Sequence, residues 1–245
     1  LAISAPIREE FQMGGVSPAR IVDLPNGYDP ALFHPLPAGA PSMAERRIAL
    51  GLPPEGLVFA YSGKLNRGKG LERLITIWGR FAAEHPTARL LLIGSGKGQY
   101  LSCEEELKKQ AQAERVDASI LFTGYVEDVA AYLHVADAFV FPSESEAQGL
   151  SVLEAMACGV PVLASDIPGI ADMVRDGVTG RLVPPQAVEA WLAALQEFVE
   201  QRPRFAAMAE SAVAHAEAAY AIAAIAGKHA ELFCQLLSPS VVSPR

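Results

Sequence analysis

Two glutamates eight positions apart, Glu146 and Glu154, stand in the stretch Ser143 to Pro161, SESEAQGLSVLEAMACGVP. An ionised carboxylate accepts hydrogen bonds and donates none, so each needs a donor, which a cation, a helix amide or a ligand hydroxyl can supply. Glu146 has a local solution, because Ser143-x-x-Glu146 fits a capping box ahead of an apolar run. Gly149 would then fall inside the helix, which glycine disfavours. A helix starting nearer Gly149 is the other solution, and it leaves Glu146 projecting from the preceding loop.

Glu154 has no local solution. From Gly149 to Ser165 it is the one charged residue, set among Leu150, Val152, Leu153, Met156 and Ala157. A helix apolar nearly all round is buried, and a buried carboxylate is costly unless paired. Its partner is either a ligand diol donating two hydrogen bonds or an Arg or Lys from another loop. A helix beginning at Gly149 presents free amides and partial positive charge, and there a diphosphate could dock at Gly149 and Leu150. Gly149 carries no side chain to obstruct that approach. Glu154, about one turn further on, would reach one end of a nucleotide diphosphate and Glu146 the other.

Two glycine-rich loops invite comparison with phosphate-binding motifs. SGKLNRGKG (62–70) runs Gly63, four residues, Gly68-Lys69, but Gly70 stands where a P-loop requires Ser or Thr to hold magnesium, which argues against a P-loop ATPase. Lys64, Arg67 and Lys69 with flexible amides still suit a diphosphate, and they equally suit a solvated basic turn. GSGKGQY (94–100) places its third glycine one position early for a dinucleotide fingerprint and reads as a tight turn into a helix.

These residues must be carried by regular elements, and short apolar runs supply them. Strands are expected at 57–62, 89–94, 119–124, 138–142 and 161–165, with helices near 71–84, 101–115 and 127–134 between them. Continuous apolar runs alternating with helices indicate a parallel sheet covered on both faces, hence a doubly wound, Rossmann-like α/β class. Such sheets bind ligands at the carboxyl ends of their strands, where the loops above lie.

Residues 1–56 read as irregular. From Pro185 the pattern is helical, with Val188, Leu192, Leu195 and Val199 forming an amphipathic stripe over 186–201, a break at Pro203 and a frayed tail, SPSVVSPR. The 245 residues are 51% hydrophobic, enough for a sizeable core. A net charge of −8 without a Lys/Arg run argues against a nucleic-acid partner, and three scattered cysteines argue against a zinc site and fit a reducing, cytoplasmic setting. The chain begins with Leu1, which suggests a piece of something longer.

Four stretches in order, LPNGYDPALFHP, SGKLNRGKGLERLI, LFTGYVEDVAAYLHVADAFVFPS and SEAQGLSVLEAMACGVPVLASDIPGIADMVRDGVTGRLVPP, resemble the family 4 retaining glycosyltransferases of GT-B fold. The last resembles that family's double-glutamate signature. The resemblance implies that Glu154 meets the ribose, that Glu146 faces the donor sugar, that the amides of Gly149 and Leu150 contact the diphosphate or sugar, and that Lys69 binds phosphate. Lys64 stands where the family usually has Arg; it keeps the charge and loses the bidentate geometry, with Arg67 the candidate to compensate. Tyr125 and Val126 should lie against the base.

The resemblance further implies the C-terminal, donor-binding half of a two-domain enzyme. Residues 1–25 would end the missing acceptor domain and form the link, 26–185 the nucleotide-sugar-binding domain, and 186–245 the C-terminal helices, exposing an apolar patch after Ile222. The implied reaction moves a sugar from a UDP- or GDP-type donor to a hydroxyl acceptor with retention, with no cofactor and no metal. The acceptor, glycan, lipid-linked or small, would bind through the missing domain, and a membrane-surface contact there is left open. A UDP-N-acetylglucosamine-type epimerase and a non-catalytic sugar-nucleotide-binding module remain as alternatives.

Overall fold

The structure, a computed structural model, describes residues 1–237, so the tail from 238 to 245 lies outside the described residues. The chain opens with α1 (Ala5–Met13) and α2 (Met43–Ala49). It continues β1 (Val58–Ser62), α3 (Leu71–Glu84), β2 (Arg89–Ile93), α4 (Glu104–Ala113), β3 (Ile120–Gly124), α5 (Val129–Leu133) and β4 (Ala138–Phe141). Then come α6 (Leu150–Ala157), β5 (Val162–Ser165), α7 (Pro168–Ala171), β6 (Arg181–Val183), α8 (Val188–Glu200), α9 (Arg202–Tyr220) and α10 (Ile222–Leu237).

The strands form one parallel sheet of order β3-β2-β1-β4-β5-β6. The chain winds outward from β1 through β2 to β3, returns to the centre, and winds the other way from β4 through β5 to β6. With the right-handed crossovers that parallel strands take, the two directions put their helices on opposite faces. Helix α3 accordingly packs with α4 and α8, and α6 packs with α9. The doubly wound, Rossmann-like α/β class expected from the sequence is the observed one, with a helical C-terminal extension.

The core forms because the central strands are apolar on both faces: every residue of β1, β4 and β5 is buried. On the α3 side, Phe59 meets Trp78, Phe81 and Phe198 edge-on, with centroids 5.3 to 5.8 Å apart, the geometry that aromatic quadrupoles favour. At the N-terminal edge of the sheet, buried Arg47 on α2 donates to the Val135 carbonyl at 3.1 Å, to the Gly56 carbonyl at 2.9 Å and to Asp137 at 2.7 Å. Asp137 also accepts the Val58 N–H at 2.8 Å, so one ion pair joins α2 to the starts of β1 and β4.

Three expectations are corrected. Residues 1–56 are not wholly irregular. Helix α2 is started by a capping box in which Ser42 Oγ accepts the Glu45 N–H at 3.3 Å and Glu45 accepts the Ser42 N–H at 2.7 Å. The Pro- and Gly-rich surroundings hide that signal. The buried face of α8 is Trp191, Ala194, Leu195 and Phe198, one position back from the aliphatic stripe, because the two aromatics bury more surface than Val188, Leu192 and Val199. Strand β6 went unrecognised because it has three residues and begins with Arg181.

Pro203 lies in the first turn of α9, where its missing N–H costs nothing, so it opens a helix at the break expected there. Helix α10 buries Ile225 and leaves Ile222, Phe233, Leu236 and Leu237 exposed, the apolar patch expected after Ile222. Among the described residues no helix is long and apolar enough to cross a membrane.

Candidate functional site

The sheet reverses its winding between β1 and β4, and the loops leaving the carboxyl ends of these two strands diverge to opposite faces. A crevice opens at such a point, and ligands of open α/β sheets bind there. Here the two loops are also pinned together. The Glu144 N–H donates to the Gly68 carbonyl at 3.0 Å. Gly70, left-handed at φ 68°, lies so close to β4 that an added Cβ would come within 2.1 Å of the Pro142 carbonyl oxygen. A Ser or Thr at this position would strike that carbonyl, so the departure from a P-loop has a steric cause.

Across this junction Lys69 Nζ donates to Glu146 Oε1 at 2.6 Å. The side chains are 27% and 14% exposed, so the pair is partly shielded from water. Below it, Tyr61 of β1 stacks on Phe141 of β4 with centroids 5.7 Å apart. Burial pushes the Tyr61 phenol well above its ordinary range, and the Glu146 charge pushes it further.

Helix α6 begins at Leu150, with Gly149 as its N-cap at φ 71°. The capping box at Ser143 is absent: Ser143 Oγ donates instead to the Ser145 carbonyl at 3.2 Å. The need for glycine at 149 is also other than expected. Its conformation is left-handed, and a Cβ would come within 2.3 Å of Ile170 Cδ1 on α7, so a side chain there is strained and must displace Ile170. The amides of Leu150 and Ser151 donate to no acceptor among the described residues, as the first turn of a helix allows.

Glu154 is half-buried in the second turn of α6. Among the described residues no Arg or Lys pairs with it and no residue hydrogen-bonds its carboxylate. Burial pushes its pKa up to about 7 from an ordinary value near 4.5. Of the two partners the sequence allowed, the cation from another loop is thus absent among the described residues.

A cavity of about 790 Å³ opens over the ends of β1, β2 and β3, lined among others by Lys64, Lys97, Gln99, Tyr125 and Val126. Its floor is backbone. The Gly94 N–H donates to the Gly124 carbonyl at 3.1 Å, and a Cβ on Gly94 would come within 2.1 Å of the Gly63 oxygen. The GSGKGQY loop is a turn whose Gly96 amide is already used: Glu104 accepts the Gly96 N–H at 2.9 Å and the Ser95 hydroxyl at 2.8 Å. Lys108 and these bonds outweigh partial burial and hold the Glu104 carboxyl below its usual range, so a carboxylate sits where a dinucleotide's phosphate would need to be.

The predicted residues therefore fall into two neighbouring groups. Lys69, Glu146, Gly149, Leu150 and Glu154 gather at the β1/β4 junction and along α6. Lys64, Tyr125 and Val126 line the cavity, and the loop from Ser62 to Gly70 belongs to both groups. Arg67 joins neither; it pairs with Glu106 on α4 at 3.1 Å. Gln148 was not foreseen. It is buried and bound to Asn26, 122 positions away, a contact no local pattern announces. Among the described residues no group of three or more His, Cys, Asp or Glu is arranged to hold a metal ion.

Comparison with known proteins gives the arrangement a context. Residues 42–215 match the family model described as Glycosyl transferases group 1. The D-inositol 3-phosphate glycosyltransferase of Segniliparus rotundus is 34% identical over 209 residues, covering 84% of this chain and 45% of that protein. Its counterpart in Mycobacterium tuberculosis H37Ra is 32% identical over 213 residues, covering 85% of this chain and 42% of that protein. The chain thus spans less than half the length of these curated relatives. Among solved structures, sucrose-phosphate synthase from Thermosynechococcus elongatus superposes with a TM-score of 0.82 at 28% identity, covering 96% of this chain and 57% of that one. Anabaena HepE, solved with UDP and glucose, superposes with a TM-score of 0.86 at 23% identity, covering 95% and 62%, a likeness of fold.

Proposed function

The chain belongs to the glycosyl transferases group 1 family, and from that premise we propose that it is the donor-binding part of an enzyme that moves a sugar from a UDP- or GDP-type nucleotide to a hydroxyl acceptor with retention. One observation carries the proposal. A half-buried carboxylate without a partner among the described residues, Glu154, stands just behind free helix amides at the point where the sheet reverses its winding. A nucleoside diphosphate satisfies all of this together. The ribose hydroxyls donate to Glu154, and the phosphates accept from the Leu150 and Ser151 amides at the positive end of α6. Lys69 faces the diphosphate and Glu146 the sugar. Tyr125 and Val126 lie toward the base, and Lys64 adds charge from the shared loop.

In this role the groups act on the leaving diphosphate. As the bond from the sugar's anomeric carbon breaks, negative charge grows on the phosphate oxygens, and preorganised amides and Lys69 stabilise it. The protein supplies the positive charge in this reading, so EDTA is expected to leave nucleotide affinity unchanged. The acceptor is a partner of the intact protein, whose setting we place in the cytoplasm. Anabaena HepE was solved with UDP and with UDP-glucose, which supports a nucleotide-sugar donor here. The family match favours the transferase over the epimerase and the binding module. Calorimetric titration of the chain with UDP, GDP and ADP tests the proposal. Binding of UDP or GDP that weakens in Glu154→Ala is the expected result; no binding at millimolar concentration would overturn it.

A further inference from the structure

The segment from Val22 to Tyr28 is hydrogen-bonded to the candidate site by Gln148. Its two ends are tied by backbone. At one end Ala2 donates to the Val22 carbonyl at 2.9 Å and Leu24 donates back to Ala2 at 2.8 Å. At the other, Tyr28 donates to the Tyr220 carbonyl at 3.0 Å and Ile222 donates back to Tyr28 at 2.9 Å, where α9 gives way to α10. Between these ties Gln148 reaches the segment: its Oε1 accepts the Asn26 N–H at 2.7 Å and its Nε2 donates to the Asn26 carbonyl at 2.9 Å. The Asn26 backbone offers one donor and one acceptor, so the pairing fixes the orientation of the Gln148 amide.

Gln148 is 3% exposed, and a buried amide is retained only where its groups are paired. It lies two residues after Glu146 and one before Gly149. The backbone between has no slack on its other side. A Cβ on Gly169 of α7 would come within 2.2 Å of the Glu146 carbonyl oxygen and 2.8 Å of that of Ala147. The loop is pressed against α7 on one side and held to Asn26 on the other, and Glu146 rides on it.

We propose that Gln148 is a positioning residue for the donor site: by tying the loop from Glu146 to Gly149 to the segment around Asn26, it fixes where the Glu146 carboxylate stands. The inference rests on the donor-binding reading above. A side chain here must accept from an N–H and donate to a carbonyl at once, so glutamate supplies half of the function and leucine none.

The test is titration of the full chain, wild type and Gln148→Leu, with UDP and UDP-glucose, or with GDP and GDP-mannose if the wild type prefers guanine. Glu146 is assigned to the sugar, so the two ligands should part company. UDP affinity should move by less than about threefold while UDP-glucose affinity falls about tenfold, the loss of one well-placed hydrogen bond to a charged group. Gln148→Glu, which keeps the bond from the Asn26 N–H, should fall between. A purely structural role would weaken both ligands alike, so an unchanged ratio of affinities in folded Gln148→Leu would overturn the proposal. Should Gln148→Leu fail to fold, the same ratio in Gln148→Glu decides. A wild type that binds no nucleotide would instead sink the donor reading itself.

Discussion

Lys69 Nζ stands 2.6 Å from Glu146 Oε1, and this contact joins the backbone bond from Glu144 to Gly68 in closing the seam between the loops after β1 and β4. In the proposed role, each side chain of the free chain occupies the place of the other's ligand partner. A phosphate must therefore win Lys69 from Glu146. Lys69→Met should lower UDP affinity about 10- to 100-fold, the range for a lost charge-assisted hydrogen bond. Glu146→Gln removes the competitor and should tighten UDP about threefold while weakening UDP-glucose. Both changes are read by calorimetry, and undiminished UDP binding by Lys69→Met would remove Lys69 from the site.

Glu154 should make both stability and binding depend on pH. Its carboxyl holds a proton up to about pH 7 in the folded chain and releases it near its ordinary 4.5 when unfolded. Between those values the folded state binds more protons, so stability should fall as pH rises from about 4.5 to 7 and level off above. Urea midpoints at pH 5 and pH 8 measure this, and the contribution should vanish in Glu154→Gln. Ribose hydroxyls favour the ionised carboxylate, so UDP-glucose should bind more tightly as pH rises through about 7, with a proton released on binding. UDP-glucose is the suitable ligand because its diphosphate does not titrate in this range. A flat profile in the wild type would contradict the ribose contact.

Gly149→Ala should cost about 2–4 kcal/mol, the left-handed backbone and the collision with Ile170 Cδ1 each contributing. Combining it with Ile170→Ala should relieve the collision alone and leave the backbone strain. Denaturant titration separates the two, and a neutral Gly149→Ala would show that the N-cap can relax.

Arg47→Met should destabilise by about 3–5 kcal/mol, because it leaves the Asp137 carboxylate buried with its main partner gone. Arg202 at 2.5 Å offers partial compensation from a more exposed position. The pair lies at the opposite end of β1 and β4 from the site, so nucleotide affinity of the folded variant should match wild type.

The central strands and α3 were legible because a parallel strand buried on both faces is a short apolar run and needs no partner to be recognised. The span 71–84 expected for α3 is the one observed. Strand β6 was not legible, since three residues at a sheet edge carry too little pattern. Glu146, Glu154 and Lys69 could each be singled out by type and setting. That Lys69 and Glu146 touch depends on β1 lying beside β4, a fact of strand order that no local periodicity encodes. Gln148 stayed invisible because its meaning comes from Asn26's backbone, and backbone partners leave no mark in side-chain patterns.

The seams at Gly63, Gly70, Gly94 and Gly149 divide the region into two tolerances. At each, φ is positive and an added carbon would meet a neighbour within 2.1 to 2.8 Å, backbone at Gly70 and Gly94 and side chain at Gly63 and Gly149, so every substitution there is strained. Lys64, Lys97, Gln99 and Tyr125, which line the cavity above, are exposed and bear no such constraint. A library randomised at those four positions can therefore be searched for altered ligand preference with little loss of folded protein, whereas the same search at the glycines would mostly sample misfolded chains.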